Sequence, residues 1–209
     1  TSGHYLSAVA LCYRETGDKG ILQKIQYLIE SLDACQKAFE GKEGFHPGYI
    51  GAYSEDQFDL LEQGAKYPEI WAPYYTLHKI LAGLLDCYLY AGNETALQIA
   101  LKSGRWVYNR LSKLTPELRA SMWNTYIAGE FGGMNETMAR LYEISGEACY
   151  LECAKMFDND KLFVPMEERK DALERLHANQ HIPQILGSME IFKATGEKRY
   201  YDIAEFFWK

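Results

Sequence analysis

A six-residue pattern recurs four times along the chain and constrains the fold more than any other feature. Each copy places an aromatic residue four positions before a glycine, and an acidic or amide residue follows that glycine. The copies begin at Tyr13, Tyr88, Tyr142 and Phe192. A glycine can end a helix in the left-handed conformation, and Asp, Glu or Asn is suited to the start of the next helix. The pattern therefore predicts four helical hairpins. The predicted turns lie at Gly17, Gly92, Gly146 and Gly196.

The helix before the second turn is apolar on nearly all sides, whereas the helix after it has one polar face. Leu77, Leu81 and Leu85 form one apolar stripe, and Ile80 and Leu84 make the opposite side apolar as well. Buried helices that alternate with half-exposed helices, without a strand pattern, indicate two concentric helical layers or a curved solenoid. We therefore predict an all-α fold, an α/α toroid of the six-hairpin type, of which about four hairpins are present.

Composition excludes several classes of protein. Of the 209 residues, 47% are hydrophobic, which is enough for a substantial core. The 22 basic and 29 acidic residues are interleaved and give a net charge of −7, so no continuous positive face is offered to a nucleic acid. The sequence contains neither a membrane-spanning pattern nor a signal peptide. The five cysteines fall inside helical patterns and do not form a disulfide framework, which favours a cytoplasmic location unless an export signal precedes Thr1.

Histidine and acidic residues recur at one level of the predicted hairpins. Counting 13 to 16 residues back from the turn glycines gives His4, His78, Glu130 and His181. At about 1.5 Å per residue, these positions lie roughly 20 to 24 Å from the turns. His46 and His177 belong to connections at the same end. This end of the predicted toroid is therefore the candidate ligand-binding mouth.

Several of these polar residues also have a structural explanation. His78 lies on an apolar helix, where a hydrogen-bonded core histidine is common. His177 and His181 are four residues apart, the spacing of a metal site on a helix, but Pro183 disfavours helical geometry just before it. Asn135 could cap the helix that follows Gly133.

Three further side chains have two interpretations. Glu130 and Glu136 form the acidic pair at this level, and glycoside cleavage commonly uses two carboxylates, but spacing alone does not distinguish that pair from a solvated helix start. Trp71 could stack against a sugar ring or fill the core between helices, and we favour stacking.

The connection between Gly41 and Ile70 is long, rich in glycine and rich in aromatic residues. Long connections of this kind are often functional. We favour a role in shaping a site, and a packed loop without a ligand is the alternative.

Three segments resemble motifs of one enzyme family. Residues 71–80, which read WAPYYTLHKI, and residues 82–86, which read AGLLD, are similar to a hallmark of the β-L-arabinofuranosidases of glycoside hydrolase families 127 and 146. Residues 130–136 (EFGGMNE) and 177–183 (HANQHIP) resemble two further motifs, in the family's order. Members more often have Thr-Gln where this chain has Gln180-His181, and Lys where it has Gln184, which leaves the contacts of these three positions open.

The resemblance implies a retaining exo-glycosidase that removes terminal L-arabinofuranose from plant glycans or glycoproteins. It also implies an α/α-toroid catalytic domain, of which residues 1–209 are one segment, followed by β-sandwich domains. In this family a zinc-bound cysteine thiolate is thought to be the nucleophile and a glutamate the acid/base, and both lie in motifs beyond residue 209. None of the five cysteines matches those motifs, and the catalytic roles are not transferred to Glu130 or Glu136. We therefore expect no catalytic residue and no zinc ligand within these 209 residues.

What the resemblance assigns to this chain is the substrate pocket. The residues that match family positions near the sugar are Trp71, His78, Asn135, Glu136, His177 and Asn179. Two alternatives remain from the sequence alone. One is a helical module that binds a peptide or glycan without chemistry, and the other is a different α/α-toroid enzyme, such as a polysaccharide lyase or sugar epimerase.

Overall fold

The structure, a computed structural model, describes residues 2–174 and 176–209. Within these ranges the secondary structure is helical and no β-strand occurs, so the predicted all-α class is confirmed. The helices are α1 (Ser2–Thr16), α2 (Lys19–Phe39), α3 (Asp56–Glu62), α4 (Pro73–Ala91), α5 (Glu94–Leu111), α6 (Pro116–Trp123), α7 (Met134–Ser145), α8 (Ala148–Met156), α9 (Asp160–Glu167), α10 (Ala178–Thr195) and α11 (Lys198–Trp208). Among the described helices, none has the length and apolar character needed to cross a bilayer.

All four predicted turns are present. The turn glycines have φ values between 64° and 72°, in the left-handed region. Each glycine N–H donates to the carbonyl of the aromatic residue four positions earlier, at 2.7 to 2.9 Å. A side chain would disfavour this conformation by roughly 1–2 kcal/mol, which explains the recurring glycine. The hairpins are α1–α2, α4–α5, α7–α8 and α10–α11.

A hydroxyl residue before the glycine adds to three of these turns, a feature that the sequence analysis did not use. Thr16, Ser145 and Thr195 each donate to the carbonyl four residues earlier and accept from the N–H two residues later. These bonds satisfy backbone groups that a helix end leaves without partners.

Each connection between hairpins carries a short helix. These are α3, α6 and α9. At the start of α6, Thr115 accepts a hydrogen bond from the Leu118 N–H, and Pro116 occupies the first turn. Thr followed by Pro is a start signal that the sequence analysis could have used.

The chain divides into two compact units. Unit 1 comprises the residues up to Asp56 together with Thr76–Val107, and unit 2 comprises Gln57–Tyr75 and Tyr108–Lys209. The helices α4 and α5 each contribute residues to both units.

In unit 1, two glycines allow α1 and α4 to pack at backbone distance. A β-carbon at Gly3 would lie 1.9 Å from the Lys79 carbonyl oxygen, and one at Gly83 would lie 2.5 Å from the Gly3 carbonyl oxygen. Both distances are too short for any side chain, so only glycine permits this helix crossing.

The unit 1 part of the long connection is organised by a buried carboxylate. Glu55 is 3% exposed and accepts hydrogen bonds from the His46 backbone N–H at 2.8 Å and from the Trp106 indole at 3.0 Å. Its other contact is the Nδ1 atom of His46, at 2.7 Å. Tyr49 packs against Trp106 with ring centroids 5.0 Å apart. This part of the connection is therefore packed, and its role in shaping a site stays a prediction.

Unit 2 is built around α7, which packs against both α8 and α10, while α10 packs against α11. Unit 2 also contains a cluster of five aromatic side chains. The centroids of its contacting rings lie 4.8 to 5.6 Å apart. Its members are Phe58, Tyr74, Trp123, Phe131 and Phe157. Each such pair contributes roughly 0.5–1.5 kcal/mol beyond the burial of its area, so this cluster is a main source of stability for unit 2.

Two helix starts differ from the sequence predictions. Asn135 does not cap α7, because the cap position is Gly133 and the Asn135 side chain is fully buried, where it donates to the Gln184 carbonyl at 2.9 Å. Helix α10 begins at Ala178 and continues through Pro183, although Pro183 was expected to disfavour helical geometry just before it. A proline within a helix removes one backbone hydrogen bond, and the packing of α10 against its neighbours outweighs that loss.

One arginine ties α11 to the segment around α9. The Arg199 guanidinium lies 3.2 Å from Asp158 Oδ2, 2.9 Å from Asp160 Oδ1 and 2.6 Å from Glu167 Oε1. The Tyr200 hydroxyl also donates to Asp158 Oδ2, at 2.9 Å. Asp158 Oδ1 is buried and finds no hydrogen-bond partner in the part of the chain that is described. Burial raises the pKa of Asp158 to about 7.

We predict that Asp158 makes the fold less stable as pH rises. Its pKa is about 4 in an unfolded chain, so the folded state holds the proton more tightly, and the free energy of unfolding falls between about pH 4 and pH 7. Asp158→Asn cannot ionise and should lose this decline, which melting temperatures of the complete natural protein at pH 4, 6 and 8 would reveal. Asp160→Asn, at an exposed partner of the same arginine, is the control. An unchanged pH profile in Asp158→Asn would contradict the prediction.

Candidate functional site

Two cavities in unit 2 share one wall. The larger has a volume of about 520 Å³ and the smaller about 190 Å³, and we call them the large and the small compartment. The shared wall consists of Tyr126, Ile127, Glu130, Leu176 and His177. The large compartment is completed by Trp71, Ala72, Tyr75 and Asn179. The small compartment is lined in addition by Trp123, Asn124, Thr125, Asn159, Lys161, Gln180 and His181. The large compartment has the size of a typical ligand pocket, roughly 300–1,000 Å³.

Aromatic rings form one side of the large compartment. Trp71 is 51% exposed and meets Tyr67 edge to face, with ring centroids 5.3 Å apart. Tyr75, in the first turn of α4, also lines this compartment, and its backbone N–H donates to the Glu130 carbonyl at 3.1 Å. Burial, and then the Glu130 charge, raise the pKa of Tyr75, so its hydroxyl keeps its proton at neutral pH. A large indole that remains half exposed at a cavity is available to a ligand.

A carboxylate and an imidazole stand in the wall between the compartments. Glu130 Oε1 lies 3.3 Å from His177 Nδ1, and the Glu130 side chain is 14% exposed whereas that of His177 is 55% exposed. Glu130 can therefore orient the imidazole while the outer part of the ring reaches solvent. Such a pair offers a hydroxyl-bearing ligand both an acceptor and a donor.

The segment before Glu130 has a strained turn. Ile127 has φ of 58°, and the Ala128 N–H closes a three-residue turn on the Tyr126 carbonyl at 2.7 Å. A positive φ is rare for a β-branched residue, and this kind of γ-turn is strained. The next residues are fixed, since a β-carbon at Gly129 would lie 1.8 Å from the Met122 carbonyl oxygen. Strained backbone at a cavity often marks a functional segment.

The start of α10 holds the Glu130 segment from the other side. Gln180 Oε1 accepts from the Phe131 N–H at 3.0 Å and from the Gly132 N–H at 2.8 Å. His181 Nδ1 lies 2.7 Å from the His177 carbonyl oxygen. Burial lowers the pKa of His181, so its ring is neutral at pH 7. Hydrogen bonds to the backbone thus fix both side chains: Gln180 through the N–H groups of Phe131 and Gly132, and His181 through the His177 carbonyl.

The whole chain matches one known catalytic domain. The sequence profile of the β-L-arabinofuranosidase GH127 catalytic domain matches residues 1–209. The chain belongs to this family. A comparison with individually curated proteins gives no match.

Membership of the GH127 family identifies the protein as a glycoside hydrolase, and an arabinofuranosidase of this family would act on arabinofuranose-containing glycans. The predicted fold class is also confirmed, because the catalytic domain of this family is an all-α toroid. A helical binding module without chemistry, a lyase and an epimerase were the alternatives from the sequence, and this family supports none of them.

The predicted pocket residues fall into two groups. Trp71, His177 and Asn179 line the large compartment. Glu136 lies 3.5 Å from Arg140, one turn further along α7, and Asn135 is fully buried against α10. The remaining residue, His78, belongs to α4 in unit 1 and is 4% exposed. Contact of any of the six with a sugar stays a prediction.

Sequence analysis missed several residues of the two compartments. Tyr126, Ile127 and Lys161 carry no pattern that distinguishes them from ordinary surface residues. The one available signal was the cluster Asn124–Gly129, whose turn-forming residues predict a compact loop. The sequence could not reveal that this loop faces the start of α10, because that proximity depends on packing.

The described part of the chain offers no ready zinc site. No group of three or more His, Cys, Asp or Glu side chains among residues 2–174 and 176–209 could hold a metal ion. Burial raises the pKa of Cys87 to about 12 and raises that of Cys153 further, so neither thiol forms a thiolate at neutral pH. Cys12 and Cys35 are exposed and belong to unit 1.

We predict that Ile127→Gly costs no stability. Glycine removes strain of roughly 1–2 kcal/mol at a positive φ, which offsets the loss of a half-buried side chain. The matched control is Ile144→Gly on α7, where an equally half-buried isoleucine has helical geometry and glycine should lose about 1 kcal/mol or more. Urea unfolding of both variants provides the measurement. An equal loss in the two variants would show that Ile127 is not strained.

Proposed function

We propose that this GH127 protein is a retaining exo-glycosidase that releases terminal β-L-arabinofuranose from plant glycans or glycoproteins, with the large compartment binding that sugar. The observation that carries the proposal is that one compartment combines a half-exposed indole, Trp71, with the polar pair Glu130 and His177. Of the other predicted contacts to the sugar, Asn179 lines this compartment.

A furanose has one face of C–H groups and a rim of hydroxyls, and the large compartment offers a complement to both. The Trp71 ring presents a wide apolar surface, which favours the C–H face. Glu130 accepts hydrogen bonds from hydroxyls, and His177 and the Asn179 amide add further polar groups. A site that bonds several hydroxyls discriminates strongly against ligands that lack them, because its polar groups would then be left unpaired.

We also propose that the bond-breaking groups lie outside these 209 residues. Zinc, where bound, would lower the pKa of a cysteine thiol and orient its sulfur for attack at the anomeric carbon. The thiols described above do not fit that role, and no metal cluster accompanies them in the described ranges. This chain's contribution is to bind and orient the sugar and to limit its access to water.

The decisive test is release of L-arabinose from p-nitrophenyl β-L-arabinofuranoside by the complete natural protein, with and without a zinc chelator. We expect release that the chelator abolishes and added zinc restores. No release from folded, metal-loaded protein would contradict the proposed substrate. Release that persists after full removal of metal would contradict the zinc thiolate but not the substrate.

We predict that Trp71→Ala raises the KM for this glycoside about three- to tenfold with kcat little changed, because stacking on the ring is made in the ground state and in the transition state alike. Steady-state kinetics on the complete protein measure both constants. Tyr27→Ala, which removes another exposed aromatic ring, 69% exposed on α2 in unit 1, is the control and should behave as wild type. Equal KM values in Trp71→Ala and wild type would remove Trp71 from the sugar site.

A further inference from the structure

We propose that the small compartment is a second sugar subsite, which binds a neutral pentose unit next to the terminal sugar and uses His181 Nε2 to accept a hydrogen bond from one of its hydroxyls. This inference rests on the proposed function, since it takes the large compartment as the site of the terminal sugar.

Size and position suit one additional ring. The volume of about 190 Å³ is below the roughly 300–1,000 Å³ of pockets for drug-sized ligands, so it admits one small ring rather than an oligosaccharide. Glu130 and His177 line both compartments, so two linked sugars could lie on either side of them.

The hydrogen bond of His181 fixes its tautomer. The His177 carbonyl oxygen only accepts, so Nδ1 of His181 must carry the proton in the 2.7 Å bond between them. The ring is neutral because burial lowers its pKa. Nε2 is then an acceptor, and no described protein group donates to it. An unused acceptor on a side chain that is 7% exposed and lines a cavity is suited to a ligand donor.

The other polar residues of the small compartment offer both acceptors and donors. Asn124 and Thr125 donate to the carbonyls of the preceding helical turn, at 2.8 and 3.1 Å. Asn159 donates to the Gln184 side chain at 3.3 Å. Their oxygens and the Glu130 carboxylate can accept, while the second N–H of each asparagine amide and the Gln180 NH2 group can donate. The Lys161 ammonium is the principal charged donor of the lining.

A lining that offers both acceptors and donors favours a particular class of ligand. A sugar unit suits it, because each hydroxyl both donates and accepts. An anionic group would face Glu130 and the unused oxygens, and one lysine at an exposed position compensates this only in part. The chemistry therefore favours a neutral polyol over a carboxylate or phosphate.

The test uses two ligands that resist hydrolysis because sulfur replaces the glycosidic oxygen: a methyl thio-β-L-arabinofuranoside and the thio-linked disaccharide of two L-arabinofuranose units. Their affinities for the complete natural protein are measured by calorimetry. We expect the disaccharide to bind at least tenfold more tightly than the monosaccharide in wild type. In His181→Asn, the disaccharide should bind roughly five- to tenfold more weakly, and the monosaccharide should be unaffected.

The choice of variant separates recognition from structure. An asparagine amide can replace the Nδ1–H bond to the His177 carbonyl but cannot reach the position of Nε2. A purely structural role would therefore be rescued in His181→Asn. His181→Gln places an acceptor near the Nε2 position and should retain the disaccharide affinity better than His181→Asn does.

A lysine pair tests the same compartment without changing a buried residue. Lys161→Met removes the principal charged donor of the lining and should weaken disaccharide binding severalfold, with no effect on the monosaccharide. Lys170→Met is its control, because Lys170 is exposed and pairs with Glu168. Melting temperatures show whether each variant is folded, and Lys161→Met decides the question if His181→Asn does not fold.

Each failure has a distinct meaning. Wild type that binds the disaccharide no more tightly than the monosaccharide overturns the second subsite and leaves the proposed function standing. The same affinities in wild type, His181→Asn and Lys161→Met would also overturn it. Folded wild type that binds neither ligand would contradict the proposed function, and this inference would fall with it.

Discussion

The packing of α10 against α7 determines where the polar groups of both compartments lie. Gly187 leaves the space that the Asn135 side chain fills, since a β-carbon there would lie 2.2 Å from the Asn135 amide. Asn135 then donates to the Gln184 carbonyl at 2.9 Å. Leaving either group unpaired in the interior would cost roughly 1–3 kcal/mol, so the bond fixes the register of the two helices. His177 and Glu130 stand just before these helices, and their separation of 3.3 Å follows from this register.

The rigid helices contrast with the strained loop that completes the site. The γ-turn at Ile127 keeps a β-branched residue at a positive φ, a conformation that persists only where the surroundings hold it. Met122 and Gly129 pack at backbone distance on one side, and Gln180 bonds the backbone after Glu130 on the other. The loop therefore presents Tyr126, which is 77% exposed, from a backbone with little freedom. Such pre-organisation reduces the entropy that a ligand must lose on binding.

Local chemistry explains why some features were predictable from the sequence. Each of the four turns needs a residue in the left-handed conformation after a helix. A glycine at the end of a helical pattern indicates such a position in the sequence. Residues in long-range contact were harder to interpret. A cap was one interpretation of Asn135, since the sequence gives no sign of its bond to Gln184, 49 residues away. Pro183 was expected to disfavour the helical geometry that tertiary contacts maintain. Trp71 and His177 were found through the family motifs, whereas Tyr126 and Lys161 belong to the compartments only because of how the connections fold.

Adjacent residues at the start of α10 act through different physical effects. The Gln180 side-chain oxygen accepts from the N–H groups of Phe131 and Gly132, so its effect is on the position of the neighbouring Glu130. His181 instead contributes to the polarity of the small compartment, because its ring is neutral and its Nδ1–H is held by the His177 carbonyl, which leaves Nε2 as an acceptor. The position of the carboxylate and the polarity of the small compartment therefore depend on two successive residues of one helix.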